Sequence, residues 1–516
     1  MQEKDTLREK PLRGRTRRQF LGQTALAALS GFVPKQMYAK GKAGLSRRPN
    51  VLFLISDDMR VELGCYGSRF RAQTPNLDAL AASGVRFDRN YCQFPLCNPS
   101  RTSLLTGYRP TTTKVLGNGK QAKFREMHPE WKSLPQLFRE SGYTTLGTGK
   151  VFHFDDPEAW TIADGIPPAA PGAARFERIV VPQEPVPPPP GGGPVPPPAT
   201  NPKALHSDRM LVFQGDGEGE SENIVADRAI AFLREHAAGG EKQQPFFLGC
   251  GFSKPHSPPT APQRFYDLYD PNAIQLTPDF AAWPTVPPGF PPAAIRKRNA
   301  DLFISRGASK REAKEVICAY LASISWADWN LGRVVNELDA LALRKNTIVV
   351  FVADHGYQLG EKGKWSKAGS LFEMGTRVPL IISAPGEHGN SHTSYQLVES
   401  LDIYPTLVQL CGLTAPRDIH GKSLVPLLRN PKATWNRPAY SVWSEDGVTL
   451  HGVAVRKGKW RYAEFGKNGV NGAMLFDEES DPDEMTNLAD DPQHAQVRAE
   501  LSPLVRNYAA ALQMPA

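Results

Sequence analysis

Cysteine is scarce in this chain, with six in 516 residues: Cys65, Cys92, Cys97, Cys250, Cys318 and Cys411. That is too few for a disulfide-built scaffold of this size, and neither a C-x-x-C pair nor a Cys/His spacing suited to zinc occurs. Apolar runs are short; none approaches the roughly 20 residues a membrane-crossing helix needs, so no transmembrane anchor is expected in the mature chain. A surplus of positive charge is also missing from most of the sequence. The net charge of +8 suggests an anionic partner, yet residues 1–43 carry ten Lys/Arg against three Asp/Glu, leaving 51 basic and 50 acidic residues afterwards. A near-neutral remainder with no basic face interleaved with aromatics argues against nucleic-acid binding.

The basic stretch reads as an export leader over residues 1–43. Thr16-Arg17-Arg18-Gln19-Phe20-Leu21 has the twin-arginine pattern, and Leu21 to Val33 is a short Ala-rich apolar run. Cleavage is placed after Ala39 or Ala43, and the expected location is periplasmic or secreted by way of the twin-arginine export machinery. That route carries proteins that are already folded.

What remains is long enough for a large core and a second, smaller domain. Asn50-Val51-Leu52-Phe53-Leu54-Ile55-Ser56 is continuously apolar, as a strand covered on both faces should be, and it ends in Asp57-Asp58. Thr347 to Val352 repeats the pattern and ends in Asp354-His355-Gly356, while Pro245 to Gly249 leads into Ser253-Lys254-Pro255-His256. Open α/β sheets place their chemistry at such carboxyl ends. Between the strands, Val316, Tyr320, Ile324, Ala327, Leu331, Val334 and Leu338 give residues 310–343 a helical apolar face, read as core packing. A shorter helix is predicted around Leu77 to Ala81. Strands alternating with helices predict an α/β fold. Residues 44–435 are assigned to the larger domain, which holds these strand ends and is interrupted at 165–202 by a Pro/Gly-rich loop. Residues 436–516 form a smaller C-terminal domain of short strands and a terminal helix.

Asp57-Asp58 and Asp354-His355 at strand ends would each be ordinary turns. Together they make a hard-cation site, because three carboxylates suit Ca²⁺ or Mg²⁺ better than Zn²⁺. Two further stretches carry candidate chemistry: Cys97-Asn98-Pro99-Ser100-Arg101 with Leu105-Thr106-Gly107, and Gly142-Tyr143-Thr144 through Gly149-Lys150-Val151-Phe152-His153.

The first of these resembles the C-x-P-S-R-x-x-x-L-T-G signature of type I sulfatases, and the second fits that family's G-Y-x-T-x-x-x-G-K pattern. Within the family, the chain is most similar to the iduronate-2-sulfatase group. That similarity is carried by Asp57-Asp58-Met59-Arg60, Lys254-Pro255-His256, Asp354-His355-Gly356, Leu359-Gly360-Glu361 and Trp365-Ser366-Lys367, and by Leu475-Phe476-Asp477 near the end. The resemblance implies an alkaline-phosphatase-like fold, with a large mixed sheet flanked by helices and a smaller C-terminal α+β domain. It also implies hydrolysis of sulfate esters of a sulfated sugar or polysaccharide, and oxidation of Cys97 to formylglycine by a formylglycine-generating enzyme. One Ca²⁺ would sit among Asp57, Asp58, Cys97, Asp354 and His355. Arg101 and Lys150 would hold the hydrate and the sulfate, His153 would act as base, and His256 and Lys367 would serve sulfate and leaving group. Tyr357 stands where that group carries tryptophan near the sugar, and is either a stacking residue or a packing tyrosine. Lys362 and Lys364 depart from a more acidic pattern. A phosphate or phosphonate monoester hydrolase and a non-catalytic carbohydrate-binding relative are the competing readings.

Overall fold

In the computed structural model, residues 48–162, 202–240 and 243–510 are described. The leader at 1–43 and all but the last residue of the Pro/Gly-rich segment at 165–202 lie outside them. The centre is a seven-stranded sheet in the order β3-β5-β1-β7-β8-β2-β9. Its strands are β1 (Asn50–Asp57), β2 (Val85–Tyr91), β3 (Thr144–Gly149), β5 (Phe246–Pro255), β7 (Thr347–Ala353), β8 (Arg377–Ser383) and β9 (His392–Glu399). A small parallel pair, β4 (Leu211–Phe213) with β6 (Thr260–Pro262), lies apart from it. In the large sheet β3, β5, β1 and β7 run parallel, and β8 is antiparallel to both its neighbours. The sheet is therefore mixed, as expected.

The apolar runs of β1 and β7 follow from burial on both faces. Successive side chains point to opposite sides of a strand. Leu52 and Leu54 of β1, with Val349 and Phe351 of β7, join one core with the helices Pro75–Ser83, Ser221–Ala238 and Lys310–Ala340. Val51, Phe53 and Ile55, with Ile348, Val350 and Val352, join another with Leu134–Glu140 and Ile403–Leu410. Helix Lys310–Ala340 starts at a capping box in which Ser309 and Glu312 satisfy each other's backbone N–H groups, and all seven residues of its predicted apolar face are buried.

The C-terminal part is a four-stranded antiparallel sheet of β10 (Ala439–Trp443), β11 (Gly452–Lys457), β12 (Trp460–Phe465) and β13 (Ala473–Asp477), with the helix Ala495–Ala509. Its core is continuous with Phe94, Leu116, Phe290, Leu371 and Phe372 of the preceding chain. Buried charges join there as well: Arg461 Nε lies 2.9 Å from Glu478 and 3.2 Å from Glu484, and the same guanidinium reaches Glu373. All six cysteines are free thiols. No helix among the described residues is long and apolar enough to cross a membrane.

Candidate active site

Strand register brings the two strand-end pairs together. Ser56 of β1 is level with Ala353 of β7, so Asp57-Asp58 and Asp354-His355 leave adjacent parallel strands side by side. Asp58 turns the chain through a left-handed conformation (φ 64°). Its carbonyl accepts a 2.6 Å hydrogen bond from the Tyr320 hydroxyl of the long helix. The backbone N–H of Asp58 donates to Asp354 Oδ1 at 3.2 Å. The helix face read as packing thus also anchors the turn that carries Asp58.

On the other side, β3 delivers Lys150. Gly149 at its end has φ +71°, and a Cβ there would sit 2.1 Å from the carbonyl oxygen of Gly251 on β5. Only glycine fits both constraints, which accounts for the glycine of the Gly149-Lys150 pair. The Lys150 ammonium meets the Asp57 carboxylate. Cys97 opens the helix Cys97–Thr106, every residue of which is buried. Its thiol lies 3.3 Å from Asp57 Oδ1 and 3.2 Å from His355 Nε2. One turn on, Arg101 Nε donates to Asp354 Oδ2 at 2.8 Å, and its Nη1 donates to the carbonyls of Lys150 and Val151. Lys367 Nζ donates to Asp58 Oδ2 at 2.9 Å, and His256 Nε2 lies 4.0 Å from the same oxygen.

Ten of the eleven role assignments made from the sequence therefore converge on one place; Cys97 carries two of them. His153 is the exception. Its ring packs edge-on against Phe154, Nδ1 is buried without a hydrogen-bond partner, and no hydrogen bond or ion pair among the described residues joins it to the carboxylates. Tyr357 is buried, stacks on Tyr320 at 5.7 Å and donates to the Trp365 carbonyl, so it packs in the core and offers no face to a sugar. Lys362 is likewise committed, to Asp279 at 2.9 Å. Sequence reasoning missed Asp301, a buried carboxylate that accepts from Ser366 at 2.9 Å and lies 3.5 Å from Lys367 Nζ. It stands in an irregular stretch with no strand end or motif to signal it.

The electrostatics are those of a buried cluster of both signs. Burial and Asp57 push the Cys97 thiol up, but Lys150, His355 and Lys367 outweigh them and hold it well below an ordinary thiol. Burial alone would raise Asp57; Lys150, His256 and Arg101 bring it well below the usual carboxylate range. Burial depresses Lys367, and Asp301 with Asp58 more than reverses that. Two groupings have ligand atoms within 4.8 Å of one another: Asp57, Asp58, Cys97 and His256, and Asp57, Cys97, Asp354 and His355. At this centre Asp58 Oδ1 is a buried acceptor and Arg101 Nη2 a buried donor, neither with a hydrogen-bond partner. An unmatched carboxylate oxygen among three aspartates fits a hard cation, and an unmatched guanidinium N–H fits an oxyanion.

A mixed sheet whose parallel strand ends gather acids, cations and a cysteine at a helix N-terminus has the alkaline-phosphatase-like fold. The chain belongs to the sulfatase family: the family description "Sulfatase" matches residues 49–413, and "N-sulphoglucosamine sulphohydrolase, C-terminal" matches residues 360–510. A sulfatase of Formosa agariphila is 33% identical over 449 residues, covering 86% of this chain and 83% of its own. Human iduronate 2-sulfatase is 32% identical over 415 residues, covering 71% and 70%. In fold the chain matches a protein solved in complex with its substrate D-glucosamine-2-N,6-O-disulfate, with a TM-score of 0.68 at 23% identity over 90% of this chain and 98% of that one.

Proposed function

We propose that the protein hydrolyses the sulfate ester of a sulfated sugar, with a preference resembling that of iduronate 2-sulfatase. The observation that carries this reading is Cys97. It opens a buried helix within C-x-P-S-R, in reach of Asp57 and His355 and inside the field of Lys150 and Lys367. Oxidised after translation to formylglycine and hydrated, this position would present the nucleophilic oxygen, and the second hydroxyl would allow sulfate to be expelled afterwards. Asp57, Asp58, Asp354 and His355, with the modified Cys97, would hold one Ca²⁺, which when bound draws charge from a sulfate oxygen. Arg101 and Lys150 bind and orient the anion, and Arg101 Nη2 is the donor still to be matched. His256 and Lys367 stand together on Asp58, as groups that donate a proton or a hydrogen bond to the leaving alkoxide would. His153 is assigned the base that collapses the sulfated intermediate. Twin-arginine export to the periplasm or medium belongs to the same reading.

The test is sulfate release by the mature protein with Cys97 conversion verified by peptide mass. The substrates are heparan-type disaccharides with and without a 2-O-sulfated uronate, with an aryl sulfate and phosphate and phosphonate monoesters alongside. Release confined to the 2-O-sulfated uronate supports the specificity. Cleavage of the aryl sulfate alone keeps the chemistry and rejects the sugar. Turnover of phosphonate or phosphate without sulfate release rejects the proposal in favour of the related monoesterases, and no turnover at all favours a binding protein.

A further inference from the structure

A second cavity, of about 420 Å³, lies where the edge of the large sheet meets the C-terminal sheet and its helix. Strand β9 contributes Leu397, the β11–β12 hairpin Lys457 and Trp460, and the helix Ala495–Ala509 Val497 and Glu500. None of the residues around the carboxylate cluster lines it. In the sheet order β9 stands three strands from β7, which at roughly 4.8 Å per strand is about 14 Å. β9 also runs in the same sense as β7, because β8 is antiparallel to both β7 and β2 and β9 is parallel to β2. Its carboxyl end therefore lies along the edge of the sheet that carries Asp354.

The lining has donors to spare. Trp435 is 7% exposed, and its indole N–H has no hydrogen-bond partner. A buried indole N–H normally finds an acceptor. Lys422 and Arg437 lie over the Trp435 ring at 5.3 and 5.8 Å, so the ring is held in place and the N–H is the capacity it has left. Arg89, in the same wall, spends Nε (2.6 Å) and Nη2 on the Tyr395 carbonyl and forms no ion pair with a carboxylate among the described residues. Arg437 and Lys457 are already matched, to Asp402 at 3.1 Å and to Glu500 at 2.5 Å. What the cavity lacks is an acceptor for one indole and one guanidinium, neither of which can accept a hydrogen bond itself. The half-buried Trp460, with Leu397 and Val497, adds an apolar side. An occupant rich in acceptor oxygens that also has a C–H face satisfies both halves, and a sugar unit is of that kind.

We propose that this cavity is a second, non-catalytic saccharide site, which holds a distant unit of the polymer whose sulfate ester is cleaved at the carboxylate cluster. The identity of the polymer rests on the sulfatase reading; the cavity's chemistry does not. Trp435 and Arg89 donate to the sugar oxygens, and Trp460 packs its C–H face. Two contacts on one chain raise the local concentration of ester at the active site without altering the reaction there.

The experiment measures retardation of the full-length protein in gels containing heparan sulfate, chondroitin sulfate or carrageenan, alongside kcat/KM for a nitrophenyl sulfate. At least one polymer should retard the wild type. Trp435→Phe keeps a ring and removes the N–H, and Arg89→Met removes the guanidinium. Each should weaken the retardation severalfold to about tenfold, as the loss of one hydrogen bond implies, with nitrophenyl sulfate turnover unchanged. Desulfation of the retarding polymer should show a raised KM at constant kcat. Weakened retardation in either variant with normal nitrophenyl sulfate turnover supports the site. Retardation equal to wild type in both variants, or no retardation of the wild type by any of the polymers, overturns it. A parallel loss of nitrophenyl sulfate turnover in both variants places the effect in the fold and overturns it too. A wild-type protein that is retarded through this cavity and cleaves no sulfate ester would instead reject the sulfatase reading and leave the saccharide site standing.

Discussion

Replacing Asp301 with asparagine removes one charge from the pair of carboxylates that fix Lys367 and leaves the volume unchanged. Lys367 Nζ sits 2.9 Å from Asp58 and 3.5 Å from Asp301, and Ser366 also donates to Asp301 at 2.9 Å. Both Lys367 and Asp301 are nearly inaccessible to water (4% and 2% exposed), so screening does not dilute the interaction. A hydrogen bond involving a charged group contributes about 1.5–3 kcal/mol, which corresponds to about ten- to somewhat over a hundredfold in kcat/KM if the ammonium acts in the transition state. The loss should fall on kcat, and it should be larger for an alkyl sulfate than for a nitrophenyl sulfate, whose leaving group needs little help. Asp301→Glu should recover part of it. The same carboxylate carries a pH signature. Burial pushes Asp301 up, but Lys367 and Lys203 lower it to about 2. A depressed aspartate stabilises the fold fully above its unfolded pKa of about 4, and that contribution is lost as pH falls from about 4 to about 2. Acid unfolding followed by circular dichroism should therefore be less steep over that interval in Asp301→Asn. Equal loss for alkyl and nitrophenyl sulfates, with an unchanged acid transition, would refute the reasoning.

Cys97→Ala should abolish sulfate release while the thermal transition stays within a few degrees, since only the small functional group on one Cβ is removed; turnover at the wild-type rate would refute the formylglycine assignment. Exhaustive chelation should lower activity and calcium should restore it, checked by the same assay. Arg461→Met takes a shared cation from Glu373, Glu478 and Glu484 and leaves Arg456 as the remaining partner of the first two, and breaking such a buried network should cost about 3–5 kcal/mol in denaturant unfolding. Gly149→Ala forces a Cβ to within 2.1 Å of the Gly251 carbonyl and shifts Lys150, so kcat/KM should fall by about tenfold or more while β3 and β5 still pair by hydrogen exchange.

Much of this protein is legible in its sequence because its central strands are buried on both faces. That burial makes β1 and β7 continuous apolar runs, and the polar residues immediately following them must lie at one edge of the sheet; Asp57, Asp58, Asp354 and His355 are found there. The long helix and the short C-terminal strands could be read for a related reason, since a periodic apolar face marks where each element meets a core. Cys97, Arg101 and Lys150 could be read as chemistry through their family-like spacing. Only the tertiary structure decided the rest. Register brought Ser56 level with Ala353 and so joined Asp57-Asp58 to Asp354-His355, about 300 residues apart in the chain. Asp301 joined Lys367 from an irregular segment that local pattern leaves featureless, because its role depends on a contact across 66 residues and not on its neighbours. Tyr357 is a further case: its place in the sequence left sugar stacking and core packing both open, and packing against Tyr320 with a hydrogen bond to Trp365 holds it in the core. A sequence specifies which side chains must be buried and which elements form, whereas which charges meet is settled only when those elements pack.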